Sequence, residues 1–220
     1  MFVEEAQWLG RELARLALPP DARVINVASS TEHYRTVEQP HVEREVLAPL
    51  RERGALITHL DIKEDPGVDL VLDLNAPGLD LRSEIGGFDM VLATGLIEHL
   101  DQEQAERICS QLVQVAEPGG YIVVSTPESY RRTMDPVDPG LRPTPADLMR
   151  LLQGGGEVEE VAAESVRIDD SRYYKGFASR ASVVPIGGRW LPLPGASEQV
   201  RRVVSRWRWR EACLIARRAG

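Results

Sequence analysis

The chain is 220 residues long, 43% hydrophobic and 27% charged, the size and balance of one folded domain rather than of a disordered or collagen-like chain. No apolar run approaches the roughly 20 residues that cross a bilayer. The first ten residues carry Glu4 and Glu5 but no basic segment, so no secretory signal is expected and the expected compartment is the cytoplasm. The net charge of −8 is uneven: residues 201–220 hold seven arginines and one glutamate, +6, which leaves −14 on the body. Such a body lacks the basic footprint of a nucleic-acid binder.

In chain order, Ala6, Leu9, Leu13, Leu16 and Ala17 recur at helical spacing over residues 4–18, and Pro19 and Pro20 end that helix. Residues 23–28 (RVINVA) read as a buried strand. Val42, Val46, Leu47 and Leu50 place a stripe on a helix over 41–53, which Pro49 should kink. Strands follow at 55–60, 68–72 and 88–93. Asp101 caps a helix whose stripe is Ala105, Ile108, Cys109, Leu112 and Val115. Pro118, Gly119 and Gly120 turn the chain into a fifth strand over 121–126.

Residues 127–143 hold four prolines and read as a loop, after which Thr144, Pro145 and Asp147 open another helix. A sixth strand is expected at 157–168, a long loop at 169–196, a short helix at 197–206 and a seventh strand at 209–216. Repeated strand–helix alternation implies one α/β domain with a mostly parallel sheet covered on both faces. Its ligand site belongs in the crevice beyond the carboxyl ends of the strands. Cys109 and Cys213 each sit in apolar patterns and read as buried thiols, with neither a disulfide framework nor a metal site implied.

The stretch GFDMVLATGLIEHLDQEQAERICSQLVQVAEPGGYIVVSTP, residues 87–127, resembles class I S-adenosylmethionine-dependent methyltransferases of the methyltransferase type 11 kind. In that family a strand followed by a Leu-Glu-His-Leu motif precedes an amphipathic helix and a Pro-Gly-Gly turn. The resemblance implies a Rossmann-like seven-stranded sheet, mostly parallel, with an antiparallel last strand, and S-adenosylmethionine as cofactor. It further implies that Asn26, Ala28 and Ser30 line the methionine part of the cofactor. Asp61, with Ile62 beside it, would take the ribose hydroxyls, Asp73 and Leu74 would contact adenine, and Thr94 would stand near the methyl group.

The loop after the first strand departs from the family. Where the family has an acidic residue and glycines, this chain has Asn26, Ala28, Ser30 and Glu32. A residue other than glycine in a left-handed conformation costs roughly 1–2 kcal/mol, enough to weaken a site without abolishing it.

Methyl transfer needs positioning first, and a general base only for a protonated acceptor. His99 is the candidate base among the four histidines, with a helix-start role as its structural alternative. Tyr130, Arg131 and Tyr173 are candidate acceptor-binding residues, and His33 and Tyr34 lie where they could reach either ligand. Residues 127–143 and 169–196 are the expected covers, suited to a small polar or sugar-like acceptor rather than to a polymer. The arginine–tryptophan run at 201–210 reads as a half-buried segment leading into the last strand, and as a surface that could meet a second subunit. Two functional classes stay open: a small-molecule methyltransferase, or a protein of the same fold that binds, regulates or runs another reaction in that pocket. A nicotinamide oxidoreductase is disfavoured, because no Gly-x-Gly-x-x-Gly follows any strand.

Overall fold

A computed structural model describes residues 1–129, 139–169, 183–186, 189–192 and 209–220. In chain order the elements are α1 (Val3–Leu13), β1 (Arg23–Val27), α2 (Pro40–Val42), α3 (Ala48–Glu52), β2 (Leu56–Asp61), β3 (Leu70–Val71), α4 (Leu81–Ile85), β4 (Phe88–Thr94), α5 (Gln102–Val115), β5 (Ala116–Ser129), α6 (Pro145–Gln153), β6 (Val158–Arg167), β7 (Val183–Ile186), β8 (Arg189–Pro192) and β9 (Arg210–Arg218). Seven strands form one sheet in the order β3-β2-β1-β4-β5-β9-β6. Only β9 is antiparallel to its neighbours, pairing with β5 and β6. The expected Rossmann-like sheet with an antiparallel last strand is therefore the one observed. β7 and β8 form a separate antiparallel hairpin inside the long segment read as a loop. The expected helix at 197–206 lies outside the described residues, and so does most of the predicted cover. No helix among the described residues is long and apolar enough to cross a membrane.

The period-two pattern of the central strands splits the core in two. Ile25, Val91, Ala93, Ile122, Val124 and Leu214 pack on one face, against Ile108, Leu112, Leu148 and Leu152 of α5 and α6. Val24, Met90, Leu92, Val123, Cys213 and Ile215 pack on the other, against Leu9 and Leu13 of α1 and Val46, Leu47 and Leu50. Strands buried on both sides are continuous apolar runs, which is why each one stands out in the sequence. The helix ends obey local rules. The Asp101 side chain accepts from the Gln104 amide while Gln104 reaches back to Asp101. Thr144 and Asp147 form the same reciprocal box before α6.

Three details differ from the sequence reading. α1 ends at Leu13 rather than Leu18. The Pro-Gly-Gly segment does not separate a helix from a strand but forms a bulge inside β5, whose register with β4 jumps between Phe88 and Met90. The helix expected over 41–53 is a composite: a π turn at Glu43–Leu47 joins α2 to α3. Pro49 falls in the first turn of α3, where it offers no N–H to the Glu45 carbonyl, and the chain widens just upstream, with the Ala48 amide on the Glu43 carbonyl.

Gly10 of α1 meets this composite helix directly. A Cβ at Gly10 would stand 2.5 Å from the Glu45 carbonyl oxygen. Alanine is the better helix former by about 1 kcal/mol, but forcing a methyl into a filled contact costs about 1–3 kcal/mol. Gly10→Ala should therefore lower the urea midpoint; an unchanged or raised midpoint would show that the two helices separate freely.

Candidate functional site

The strand order reverses between β1 and β4, and the loops that follow β1, β2 and β4 enclose a cavity of about 380 Å³ at the carboxyl edge of the sheet. Its wall includes Asn26, Ala28, Ser30, Asp61, Thr94 and His99, so six of the sequence-predicted residues converge there. Ile62, Asp73 and Leu74 do not line it. Ile62 is exposed beside Asp61, Leu74 belongs to the core, and the Asp73 carboxylate accepts from the Asn75 amide in a turn at the surface. Tyr130, Arg131 and Tyr173 lie outside the described residues. Tyr34 faces the cavity, whereas His33 lies outside its wall and sits 3.8 Å from Glu38. Glu32 is exposed and outside the wall as well.

The loop after β1 adopts the glycine-like conformation without glycine. Ala28 and Ser30 have φ of 54° and 55°, a strained region for side-chain-bearing residues. Several bonds hold it there. The Ser29 amide donates to the Leu60 carbonyl and the Ser30 amide to Asp61 Oδ2 at 2.7 Å. The buried Arg35 guanidinium donates to the carbonyls of Ser29, Ser30 and Gly67 at 3.1, 2.5 and 2.7 Å. Burial lowers the pKa of Arg35 from its ordinary value, yet a guanidinium remains charged in proteins, so these are charge-assisted bonds. Gly67 is required opposite this side chain: a Cβ there would lie 2.5 Å from the Glu32 Cβ and 2.9 Å from an Arg35 nitrogen.

Asp61 ends β2 with its carboxylate shared between two amides, Ser30 and, at 3.1 Å through Oδ1, Lys63. Each oxygen retains a lone pair for a ligand hydroxyl. Asn26 Nδ2 lies 3.2 Å from His59 Nδ1. Burial first, and Arg35 second, push the His59 pKa down to about 4, so the ring is neutral and its Nδ1 accepts from the amide. Tyr34 takes a hydrogen bond from Gln39 Nε2 at 2.7 Å, which leaves the phenolic proton for a ligand; its pKa is raised, chiefly by burial.

The floor beyond Thr94 is acidic. Register pairs Ser125 with Cys213 and Pro127 with Glu211, which puts Ser125 and Glu211 on the α1 side of the sheet. Glu5 of α1 accepts from Ser125 Oγ at 2.5 Å and from the Phe2 amide at 2.8 Å. Glu98 accepts from Thr126 Oγ1 at 3.3 Å and lies 4.0 Å from His99 Nε2. Burial raises the Glu98 pKa. Burial, then Glu5, then Glu98 push Glu211 up to about 10. Sequence reasoning missed Glu5, Arg35, Glu98 and Glu211. Glu5 stands four residues before Leu9 and eight before Leu13, on the apolar stripe itself, and Glu211 opens an apolar strand; both placements signal a buried acid.

No protein-family model matches the chain, and no curated protein matches it in sequence. Solved structures do share its architecture. The cyclase SpnF superposes with a TM-score of 0.56 at 19% identity, covering 97% of this chain and 80% of its own. Geranyl diphosphate C-methyltransferase from Streptomyces coelicolor gives 0.57 at 10% identity, covering 97% and 75%. An S-adenosylmethionine-dependent methyltransferase from Mesorhizobium loti gives 0.52 at 17% identity, covering 97% and 98%. The fold is that of class I S-adenosylmethionine-dependent methyltransferases.

His59 has a pH signature. Its folded pKa is depressed, so its contribution to stability is complete above its unfolded value near 6.5 and is lost as pH falls toward 4. Glu211 and Glu98 pull the other way, since their raised pKa values favour the folded state as pH falls. The readout is therefore the difference between wild type and His59→Gln, which keeps an acceptor for Asn26. That difference in urea midpoint should shrink between pH 6.5 and 4; a constant difference would mean that the ring protonates freely in the fold.

Proposed function

We propose that this chain is an S-adenosylmethionine-dependent methyltransferase that modifies oxygen or nitrogen of a small polar acceptor. The observation that carries the reading is the Asp61 carboxylate at the end of β2, facing the cavity with both oxygens oriented by the amides of Ser30 and Lys63. A carboxylate fixed in this way suits a vicinal diol, because two charge-assisted hydrogen bonds recognise the pair. The left-handed backbone at Ala28 and Ser30 fits the same ligand, since it brings a loop with only small side chains against the cavity. When bound, the cofactor supplies a methyl group on a cationic sulfur. Asp61 would hold the ribose, the Ala28–Ser30 loop and Thr94 would flank the methionine portion, and Tyr34 and His99 would face the acceptor. His99, 44% exposed and 4.0 Å from Glu98 Oε1, would pass a proton to solvent when the acceptor must lose one.

The acidic body and a cavity of metabolite size support a small acceptor over a nucleic acid. The glycine-free loop, together with a cyclase among the neighbours, favours one second reading: the same pocket running a different reaction.

Calorimetric titration with S-adenosylhomocysteine should give a micromolar or somewhat weaker dissociation constant. Asp61→Ala should cost about 1.5–3 kcal/mol of that affinity, the worth of hydrogen bonds to a charged group. Absence of heat and of any thermal shift at millimolar ligand would remove the methyltransferase reading. The double variant Ala28→Gly with Ser30→Gly relieves left-handed strain of roughly 1–2 kcal/mol per residue against a glycine entropy cost of about 0.5–1 kcal/mol each. It should bind S-adenosylhomocysteine as well as the parent or better. Methyl transfer by the double variant alone, with none by the parent, would support the second reading.

A further inference from the structure

A second cavity, of about 160 Å³, opens beside the first and shares Met1, Gln39, Gly95 and Glu98 with it. Glu5 and Glu211 complete its acidic wall. The three carboxylates differ in how they are used. Both oxygens of Glu5 are committed to Ser125 and to the Phe2 amide, so Glu5 is part of the framework. Glu98 has Thr126 on one oxygen. Glu211 is 2% exposed, and its Oε1 is fully buried without a hydrogen-bond partner. Leaving a buried polar atom unpaired forfeits the hydrogen bonds it made to water, and a fold that satisfies Glu5 so thoroughly carries this defect where a ligand would remove it.

The chemistry of that ligand follows from the wall. The cations whose charge reaches Glu211 are the Met1 amino group and Arg142. The first donates to Gln39 Oε1. Against them stand Glu5, Glu98 and Glu211. Among the described residues no three acidic, histidine or cysteine side chains have the spacing to hold a metal ion. A site walled by three acids, with room for only a few heavy atoms and one orphaned carboxyl oxygen, suits an N–H donor whose positive charge draws the carboxyl proton off.

We propose that the acceptor is an aliphatic amine whose nitrogen enters as an ammonium group and is bound by Glu211, with Glu98 beside it; this rests on the methyltransferase reading and specifies its substrate class. The ammonium has no lone pair, so one N–H proton first passes to a carboxylate of this pair. The freed lone pair then forms the N–C bond to the methyl carbon, and the C–S bond breaks with its electrons remaining on sulfur. The positive charge leaves sulfur and reappears on the N-methylated ammonium, while the proton held on the carboxyl leaves to solvent. Burial and the neighbouring acids keep Glu211 protonated while the pocket is empty. Ammonium binding therefore expels that proton, and the ionised carboxylate is ready to take one back from nitrogen. The charged groups that face Glu211 in this cycle are Glu5, Glu98, the Met1 amino group and Arg142.

The test uses N-methylethanolamine and its neutral isostere 2-methoxyethanol as probes, titrated by NMR into the whole chain with and without saturating S-adenosylhomocysteine. The amine should bind at least ten-fold more tightly than the ether at neutral pH. Its affinity should rise about ten-fold per pH unit between pH 6 and 8, the signature of one proton released. Glu211→Gln keeps the shape and removes the charge. It should bring the two probes within about three-fold of each other and abolish the pH slope, while S-adenosylhomocysteine affinity is retained and the unfolding midpoint is not lowered. Equal binding of both probes to wild type, or an amine preference that survives in Glu211→Gln, overturns the proposal even where S-adenosylhomocysteine binds. Conversely, a Glu211-dependent amine preference in a protein that binds no S-adenosylhomocysteine keeps the amine site and removes the methyltransferase reading.

Discussion

A buried guanidinium governs the crevice. Arg35 reaches from the turn after β1 to the carbonyls of Ser29, Ser30 and Gly67, so one side chain ties the loop that follows β1 to the loop that precedes β3. Three carbonyls facing a charge supply the energy that glycine would otherwise save at Ala28 and Ser30. They also place the Ser30 amide on Asp61. The carboxylate is thereby aimed by the backbone rather than by a flexible partner, and its orientation in the cavity follows from the arginine. The same guanidinium helps to keep His59 neutral, so the strand residues beneath the crevice are adjusted to its charge.

The other half of the site depends on where the sheet stops being apolar. Down the α1 side, Tyr121 and Val123 of β5 face the core before Ser125, and Ile215 and Cys213 of β9 before Glu211. Polar residues begin at the carboxyl end of one strand and at the amino end of its antiparallel neighbour, which is one place in space. α1 adds Glu5 from above through Ser125. The acids are thus the edge of the core pattern, positioned by the packing that buries Leu9 and Leu13.

How far the sequence discloses all this depends on range. The central strands β1, β4, β5 and β9, with α5 and α6, were legible, because double burial writes continuous apolar runs and caps are read within four residues, whereas the hairpin of β7 and β8 was not. Asn26, Ala28, Ser30, Asp61, Thr94 and His99 were legible as positions at the carboxyl ends of strands or just beyond them. Arg35 was not, because its value lies in carbonyls at Ser29 and Gly67 that only the β1–β2 pairing brings together. The opening of an apolar strand signals the burial of Glu211, but not its grouping with Glu5 and Glu98, which are more than a hundred residues away and meet it only through the antiparallel register of β9. The π turn was hidden for a different reason. Pro49 signals a disturbance, but whether it appears as a kink or as a widened turn upstream is decided by how Gly10 and Glu45 pack.

β9 sits between β5 and β6, and β6 has no other neighbour in the sheet. On a ribosome, therefore, β3 through β5 can assemble as a parallel core while β6 waits, its edge unpaired, for the last strand to emerge. Contacts of such sequence separation close late in folding, and an unpaired edge is an invitation to aggregate. The strand that repairs that edge is also the one that carries Glu211. Completion of the sheet and completion of the acidic pocket are a single event in the life of the nascent chain, so a molecule stalled before it has an open strand edge and a pocket without Glu211.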